Sequence, residues 1–277
     1  MLPTLQGANM SVGIPYPDIV APNLSAFYAM LYQRGGTIYN ADATMTTLNA
    51  EAAVQAFSTY TMLYNDYGLP LVFDFVSRFR SGEMPIGIFD YTTFNTLNVS
   101  APEIRGLWEI APMPGTLRED GTINHAGHSQ GACCMMIATD NEKIKHDGWE
   151  FMKWWVSTES QVRFGREIES ILGASARYAT ANIAAIEQLA WSEEQLSVIR
   201  DQMQVAVGFR EIAGGYYTTR HLTNAVRKVT NEKSDPRETL LDYARTINEE
   251  IVKKREEFGL PVPEEAIEAT RNATPTN

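Results

Sequence analysis

The sequence predicts an α/β fold, on three observations. Amphipathic segments with helical spacing make up most of its 277 residues. Short apolar runs ended by glycine or proline lie between them, as strands packed under helices do. One run, 131–138 (Gly-Ala-Cys-Cys-Met-Met-Ile-Ala), is apolar without alternation, which suits a central strand covered on both faces. The length fits one large domain or two lobes.

Residues 2–7 read as the tail of a helix, and 11–15 as a short strand ended by prolines. Asn23 is a preferred helix cap, and Leu24, Phe27, Tyr28 and Leu31 follow on one face. Gly35-Gly36 closes that helix by a left-handed turn. A second helix starts near Asn49, buries Val54, Phe57, Thr61 and Tyr64, and is stopped by Gly68 and Pro70. A helix over 73–79 leads through a glycine turn to a short buried strand at 84–88, which delivers Asp90 and Tyr91 to its tip. A helix over 91–99 and an extended, proline-held stretch at 106–115 come next.

Beyond the 131–138 strand, helices are expected over 147–156 and 158–169, the second opened by a capping box at Thr158-Glu159-Ser160-Gln161. Trp149, Trp154 and Trp155 sit at packing spacing and read as core. Helices over 183–189 and 193–205 lead to a glycine turn at Gly214-Gly215 and a helix over about 218–230. The last helix carries the plainest signals: Asp235 as cap, Pro236 in the first position and Glu238 to complete the box. Its buried stripe is Leu240, Ala244, Ile247, Ile251 and Phe258, closed by Gly259 and Pro261, and the polar tail 263–277 is expected to be flexible.

A formal net charge of -11 argues against recognition of a phosphate backbone, which Lys and Arg drive, so nucleic acid is not an expected partner. Cys133 and Cys134 are adjacent in an apolar run and read as buried small hydrophobes, not as a disulfide framework. The opening Met1-Leu2-Pro3-Thr4 has no basic start, apolar core or cleavage site of a signal peptide. No run approaches the roughly 20 apolar residues of a membrane helix.

Gly127-His128-Ser129-Gln130-Gly131 matches the nucleophile elbow of serine hydrolases, in which a strand-to-helix turn lifts the serine hydroxyl clear. Here the order is reversed, because a polar loop precedes the motif and the apolar strand follows it. His125 and His128 are three residues apart, but zinc needs further ligands at comparable spacing, and His146 and His221 lie elsewhere. No metal or cofactor is expected. Gly214-Gly215-Tyr216-Tyr217 with Thr218, Thr219 and Arg220 is different: two aromatics and a guanidinium meet at a glycine-rich helix entry. Such rings give an apolar face to the C–H side of a sugar, while neighbouring hydroxyls and Arg220 bond its hydroxyls. The alternative is a helix start packed on the core. Asp90 has the same double reading, as an acceptor for vicinal hydroxyls or as a helix cap.

In their order, these features resemble the carbohydrate-type extracellular solute-binding proteins of bacterial ABC importers (family 1), the class that includes maltose-binding protein. The resemblance runs from about Met1 to Pro261. It covers the Gly35-Gly36 turn, the 82–91 strand, the 112–115 crossover, the 131–138 strand, the 149–165 helices, the Gly214-Gly215-Tyr216 turn and the Asp235-Pro236 helix. It implies a periplasmic-binding-protein-like (type II) fold of two α/β lobes with the first lobe incomplete. Residues 1–111 and 192–262 are then the second lobe, and 112–191 a partial first lobe. The family's opening segment, with its signal and lipid anchor, has no counterpart here, so the chain is expected to be truncated and the 112–191 part underpacked.

The function implied is capture of a mono- or oligosaccharide by hinge closure and delivery to the transmembrane subunits of an ABC permease, at the cell surface and without catalysis. The ligand-binding residues implied are Asp90, Tyr91, Ser129, Gln130, Arg177, Tyr216, Tyr217 and Arg220. Arg177 follows from the 173–178 loop, which resembles the family's arginine-bearing loop without its usual proline. A serine hydrolase using Ser129 and a carbohydrate sensor outside transport are the competing functions.

Overall fold

The computed structural model describes residues 2–18 and 22–271. They form two compact units: Met1–Ile88 with Met113–His128 and Val205–Asn277, and Phe89–Pro112 with Ser129–Gln204. The expected lobe division differs in three places. Residues 89–111 and 192–204 pack with the second unit, and 113–128 with the first.

The first unit is built on four helices: Ser25–Gln33, Glu51–Asn65, Tyr216–Glu232 and Pro236–Glu257. Leu24, Phe27, Tyr28 and Leu31 are buried as their spacing predicts, and so are Val54, Phe57, Thr61 and Tyr64. Phe27 meets Phe57 edge to face, with centroids 5.9 Å apart. The last two helices add Leu222, Val226, Val229, Leu240, Ile247 and Ile251, all fully buried. Several of the polar groups that enter this core are paired. Asn248 Oδ1 accepts from the Thr46 backbone N–H at 2.8 Å, and the Tyr60 and Tyr64 hydroxyls both donate to the Pro15 carbonyl at 3.0 Å.

The caps follow the sequence closely. Asn23 Oδ1 accepts from Ser25 N–H, Gly35 turns at φ 77°, and Asp235 accepts from Glu238 N–H at 2.8 Å. Phe258 departs from the expected stripe: it lies past the helix end and is exposed. Within the expected tail, Glu264–Ala269 is helical, with Ala266 buried; residues 272–277 lie outside the described residues.

Strands in this unit are two residues long. Val12–Gly13 pairs in parallel with Ile86–Gly87, Thr116–Leu117 antiparallel with Ile123–Asn124, and Gly127–His128 in parallel with Ala206–Val207. The 84–88 strand forms at its centre but is less buried than expected, since Ile86 is exposed while Met84 is covered. Gly13 permits the pairing, because a Cβ there would lie 2.7 Å from the Phe75 ring.

The second unit departs further from expectation. Residues 131–138 form no strand and are exposed, Cys133 and Cys134 included. No described strand lies beside them to pair with, so an apolar run alone does not make a strand. The expected 147–156 helix begins earlier, as Glu142–Val156, because Asn141 Oδ1 accepts from Lys143 and Ile144 N–H. None of its residues is buried. Trp149 and Trp154 are exposed instead of forming core, and Trp155 alone turns inward onto Phe164, with centroids 5.2 Å apart. The next helix, Thr158–Leu172, is capped by Ser157, whose Oγ accepts from Ser160 N–H. That is one residue before the expected box, and Gln161 Nε2 reaches the Trp155 carbonyl instead.

Replacing Phe57 by alanine removes an aromatic from the centre of the four-helix core. It should lower stability by about 3–5 kcal/mol, read as a fall in the urea midpoint of unfolding.

Candidate functional site

The predicted site residues fall into two sets. Tyr216, Tyr217 and Arg220 belong to the first unit, and Asp90, Tyr91, Ser129, Gln130 and Arg177 to the second.

The first set is placed by a glycine turn. Gly214 sits at φ 82°, and a Cβ there would lie 2.8 Å from both the Glu250 carbonyl oxygen and Ile251 Cα. Only glycine allows the turn to lie so close to the neighbouring helix. The helix therefore starts at Tyr216, two residues earlier than its spacing predicts. Tyr216 is 80% exposed and stands one helical turn from the exposed Arg220, on the same face. Tyr217 is half-buried; its ring lies 5.5 Å from Tyr216 and 6.3 Å from His221.

The polar groups of this helix entry are largely used within the protein. The Tyr217 and Thr218 N–H groups donate to the Gly214 and Gly215 carbonyls, so these backbone donors do not point outward. The threonine hydroxyls also face inward: Tyr39 donates to Thr218 Oγ1 at 2.9 Å, and Tyr28 pairs with Thr219 Oγ1 at 3.2 Å. Burial pushes the Tyr39 hydroxyl up to about 12 and Tyr28 higher still, so both stay neutral.

In the second unit Asp90 is exposed, and the helix after it, Thr92–Ser100, receives no side-chain cap. The cap reading of Asp90 is therefore not realised. Tyr91 is half-buried, its hydroxyl pushed up to about 12 by burial first and Tyr178 second. Its ring lies 6.0 Å from Trp191. Arg177 is bound to Glu169, with Nε and Nη2 donating at 2.8–3.2 Å, and its guanidinium lies 4.6 Å over the Trp191 ring. Asn95 Nδ2 donates to the Arg177 carbonyl at 3.1 Å. Glu169 and Trp191 escape sequence reasoning because each meets Arg177 through folding, with no local motif to mark them.

Ser129 and Gln130 are exposed in a stretch without regular secondary structure. The next helix begins only at Glu142, so Ser129 is on no strand-to-helix elbow. Among the described residues no group of three or more His, Cys, Asp or Glu is placed to hold a metal ion.

No protein-family profile and no curated protein matches the sequence. Solved structures do match in fold. The sugar-binding protein MalE from Xanthomonas citri is similar with a TM-score of 0.66 at 14% identity, over 91% of this chain and 61% of that one. An ABC transporter solute-binding protein from Thermotoga lettingae, bound with alpha-D-tagatose, gives 0.62 at 14% identity, over 89% and 61%. The cyclic alpha-maltosyl-1,6-maltose binding protein from Arthrobacter globiformis gives 0.60 at 16% identity, over 90% and 62%. The fold is that of the type II periplasmic binding proteins, and the chain spans about 60% of the length of these structures.

Two outcomes follow from the site's local chemistry. Glu169→Gln removes the charge that partners a largely buried Arg177 and should cost roughly 1.5–3 kcal/mol. In a double-mutant cycle with Arg177→Ala, that loss should largely disappear. The second concerns His221, whose Nε2 is buried without a hydrogen-bond partner. Burial lowers its pKa below the ordinary value, against the raising effect of Glu250 and Glu249, and Arg220 lowers it further. The unfolded chain then holds more protons as pH falls through the ordinary histidine range, so stability is lost on acidification toward the depressed value. His221→Gln should make the urea midpoint less sensitive between pH 7.5 and 5.

Proposed function

We propose that this chain is the solute-binding part of an ABC importer, capturing a mono- or oligosaccharide and passing it to a membrane permease. The observation that carries the reading is the shared fold, over about 90% of the chain, with proteins described as a sugar-binding protein, as bound with alpha-D-tagatose and as binding cyclic alpha-maltosyl-1,6-maltose. The residues add chemistry to it. Tyr216 presents an open ring for the C–H face of a pyranose, and Arg220 a free-standing donor beside it. Asp90 offers an exposed carboxylate to vicinal hydroxyls, with the Tyr91 hydroxyl held neutral next to it. Arg177, engaged by Glu169, holds the 173–178 loop in place.

In this reading the protein acts by binding and not by catalysis, on the outer side of the cytoplasmic membrane. Among the described residues no helix is long and apolar enough to cross a membrane; in this reading the permease or a lipid anchor makes the contact with the bilayer. A serine hydrolase has no elbow to work from, and no observation favours a sensor over an importer.

Calorimetric titration with a panel of mono- and oligosaccharides tests the reading. At least one sugar should bind saturably, and Tyr216→Ala should weaken it roughly 2- to 10-fold, the factor that an aromatic contact of about 0.5–1.5 kcal/mol supplies. Its urea midpoint should not move, since the ring is exposed. Binding by no sugar, or ester hydrolysis abolished by Ser129→Ala, would overturn the proposal.

A further inference from the structure

Phe258 stands in solvent at the same end of the first unit as the Tyr216 ring. It lies two helical turns past Ile251 and so continues the face on which Leu240, Ile247 and Ile251 are buried. That face packs on the helix Tyr216–Glu232, which runs antiparallel to it. Gly214 lies against Glu250 and Ile251, and the His221 ring lies 6.1 Å from Tyr243. Tyr216–Glu232 starts just beyond Gly214, while the neighbouring chain runs on from Ile251 for about 10 Å to Phe258. The cover ends before the apolar face does. Phe258 is therefore 67% exposed, and among the described residues of the first unit only Tyr216 is a more exposed aromatic. One exposed ring needs no explanation. Two at the same end of one helix pair do.

Both rings are held by fixed backbone. Gly259 turns at φ 64°, its N–H bonded to the Glu256 carbonyl, and Leu260 N–H donates to the Arg255 carbonyl at 2.8 Å. Arg255 Nε then donates to the Pro261 carbonyl at 2.8 Å. A helical side chain leans toward the N-terminus of its own helix. Tyr216 thus leans past its helix start toward the end of the neighbour, and Phe258 leans back toward it. One turn before Phe258, Lys254 donates to Glu257 at 2.5 Å. An ammonium and a carboxylate have hydrogen-bonding capacity beyond that one bond.

We propose that Phe258 is a second stacking platform beside Tyr216, and that this end of the first unit takes an oligosaccharide, with one pyranose on Tyr216 and a further one on Phe258. The inference rests on the carbohydrate reading and deepens it. Rings carried by two different helices, one of them about 10 Å beyond the Gly214 contact, suit successive units of a sugar chain. Lys254 and Glu257 beside them suit its hydroxyls. An apolar protein segment docked on the same rings would have to desolvate that ion pair.

Calorimetry with glucose, maltose, maltotriose and maltotetraose, and with the matching β-linked series to cellotetraose, tests the proposal. In the series that binds, affinity should rise with chain length. Phe258→Ala should weaken the tetrasaccharide about 2- to 10-fold and leave the monosaccharide unchanged, whereas Tyr216→Ala weakens both. Phe258→Trp should restore the loss, and its fluorescence should shift with the tetrasaccharide and not with glucose. The urea midpoint of Phe258→Ala should equal that of the parent; a fall marks the ring as core and overturns the proposal. Affinity independent of chain length, or a Phe258→Ala loss as large on glucose as on the tetrasaccharide, overturns it too. Saturable binding that Tyr216→Ala weakens and Phe258→Ala leaves alone at every length sinks this inference only. Binding of no sugar in either series or in the wider panel sinks the carbohydrate reading with it.

Discussion

Close contact between the two helices Tyr216–Glu232 and Pro236–Glu257 is the constraint on which the first unit depends. Leu222, Val226 and Val229 on one, and Leu240, Ile247 and Ile251 on the other, are all fully buried. Each such side chain contributes about 1.5–3 kcal/mol relative to exposure. The contact also dictates the turn that opens the first of them. Gly214 lies against the backbone at Glu250 and Ile251 at a distance that no Cβ tolerates. The helix start is therefore pinned, Tyr217 is drawn toward the unit and Tyr216 is left outside. The close approach of this turn to the neighbouring helix and the display of an aromatic ring both depend on one glycine.

The second unit is held together differently. Its buried apolar residues, among them Phe94, Leu97, Val162, Ile186 and Leu189, form a smaller set than the first unit's. Polar and aromatic contacts add to it: Arg177 is clamped by Glu169, stacked on Trp191 and bonded through its carbonyl to Asn95. Phe94 and Tyr91 pack on the same Trp191 ring. An ion pair of this kind is weak as a net source of stability but costly to break on one side. It acts to hold the 173–178 loop in one arrangement. The unformed 131–138 run shows what happens when side-chain character is right and backbone partners are not supplied.

Much of the fold is legible in the chain. The caps at Asn23 and Asp235, the turn at Gly35 and the buried faces 24–31 and 54–64 are local signals, decided within one or two helical turns. The α/β class and the likeness to solute-binding proteins are legible for the same reason, since they rest on the order of such signals. The site is legible only as a choice of residue types. Sequence marks Tyr216 and Arg220 as candidates, but it cannot tell that Thr218 and Thr219 turn inward to Tyr39 and Tyr28, because those tyrosines are far away along the chain.

What the sequence determined by itself is therefore what short-range physics controls: periodicity, capping and the glycine-dependent turns. The tertiary structure decided which apolar faces find a partner. By helical spacing alone, Trp149, Trp154 and Trp155 looked equivalent, yet only Trp155 meets Phe164 while the other two remain in solvent. By composition 131–138 is a central strand, yet a strand exists only through hydrogen bonds to its neighbours. Burial and pairing are relations between distant segments, and no residue carries them alone.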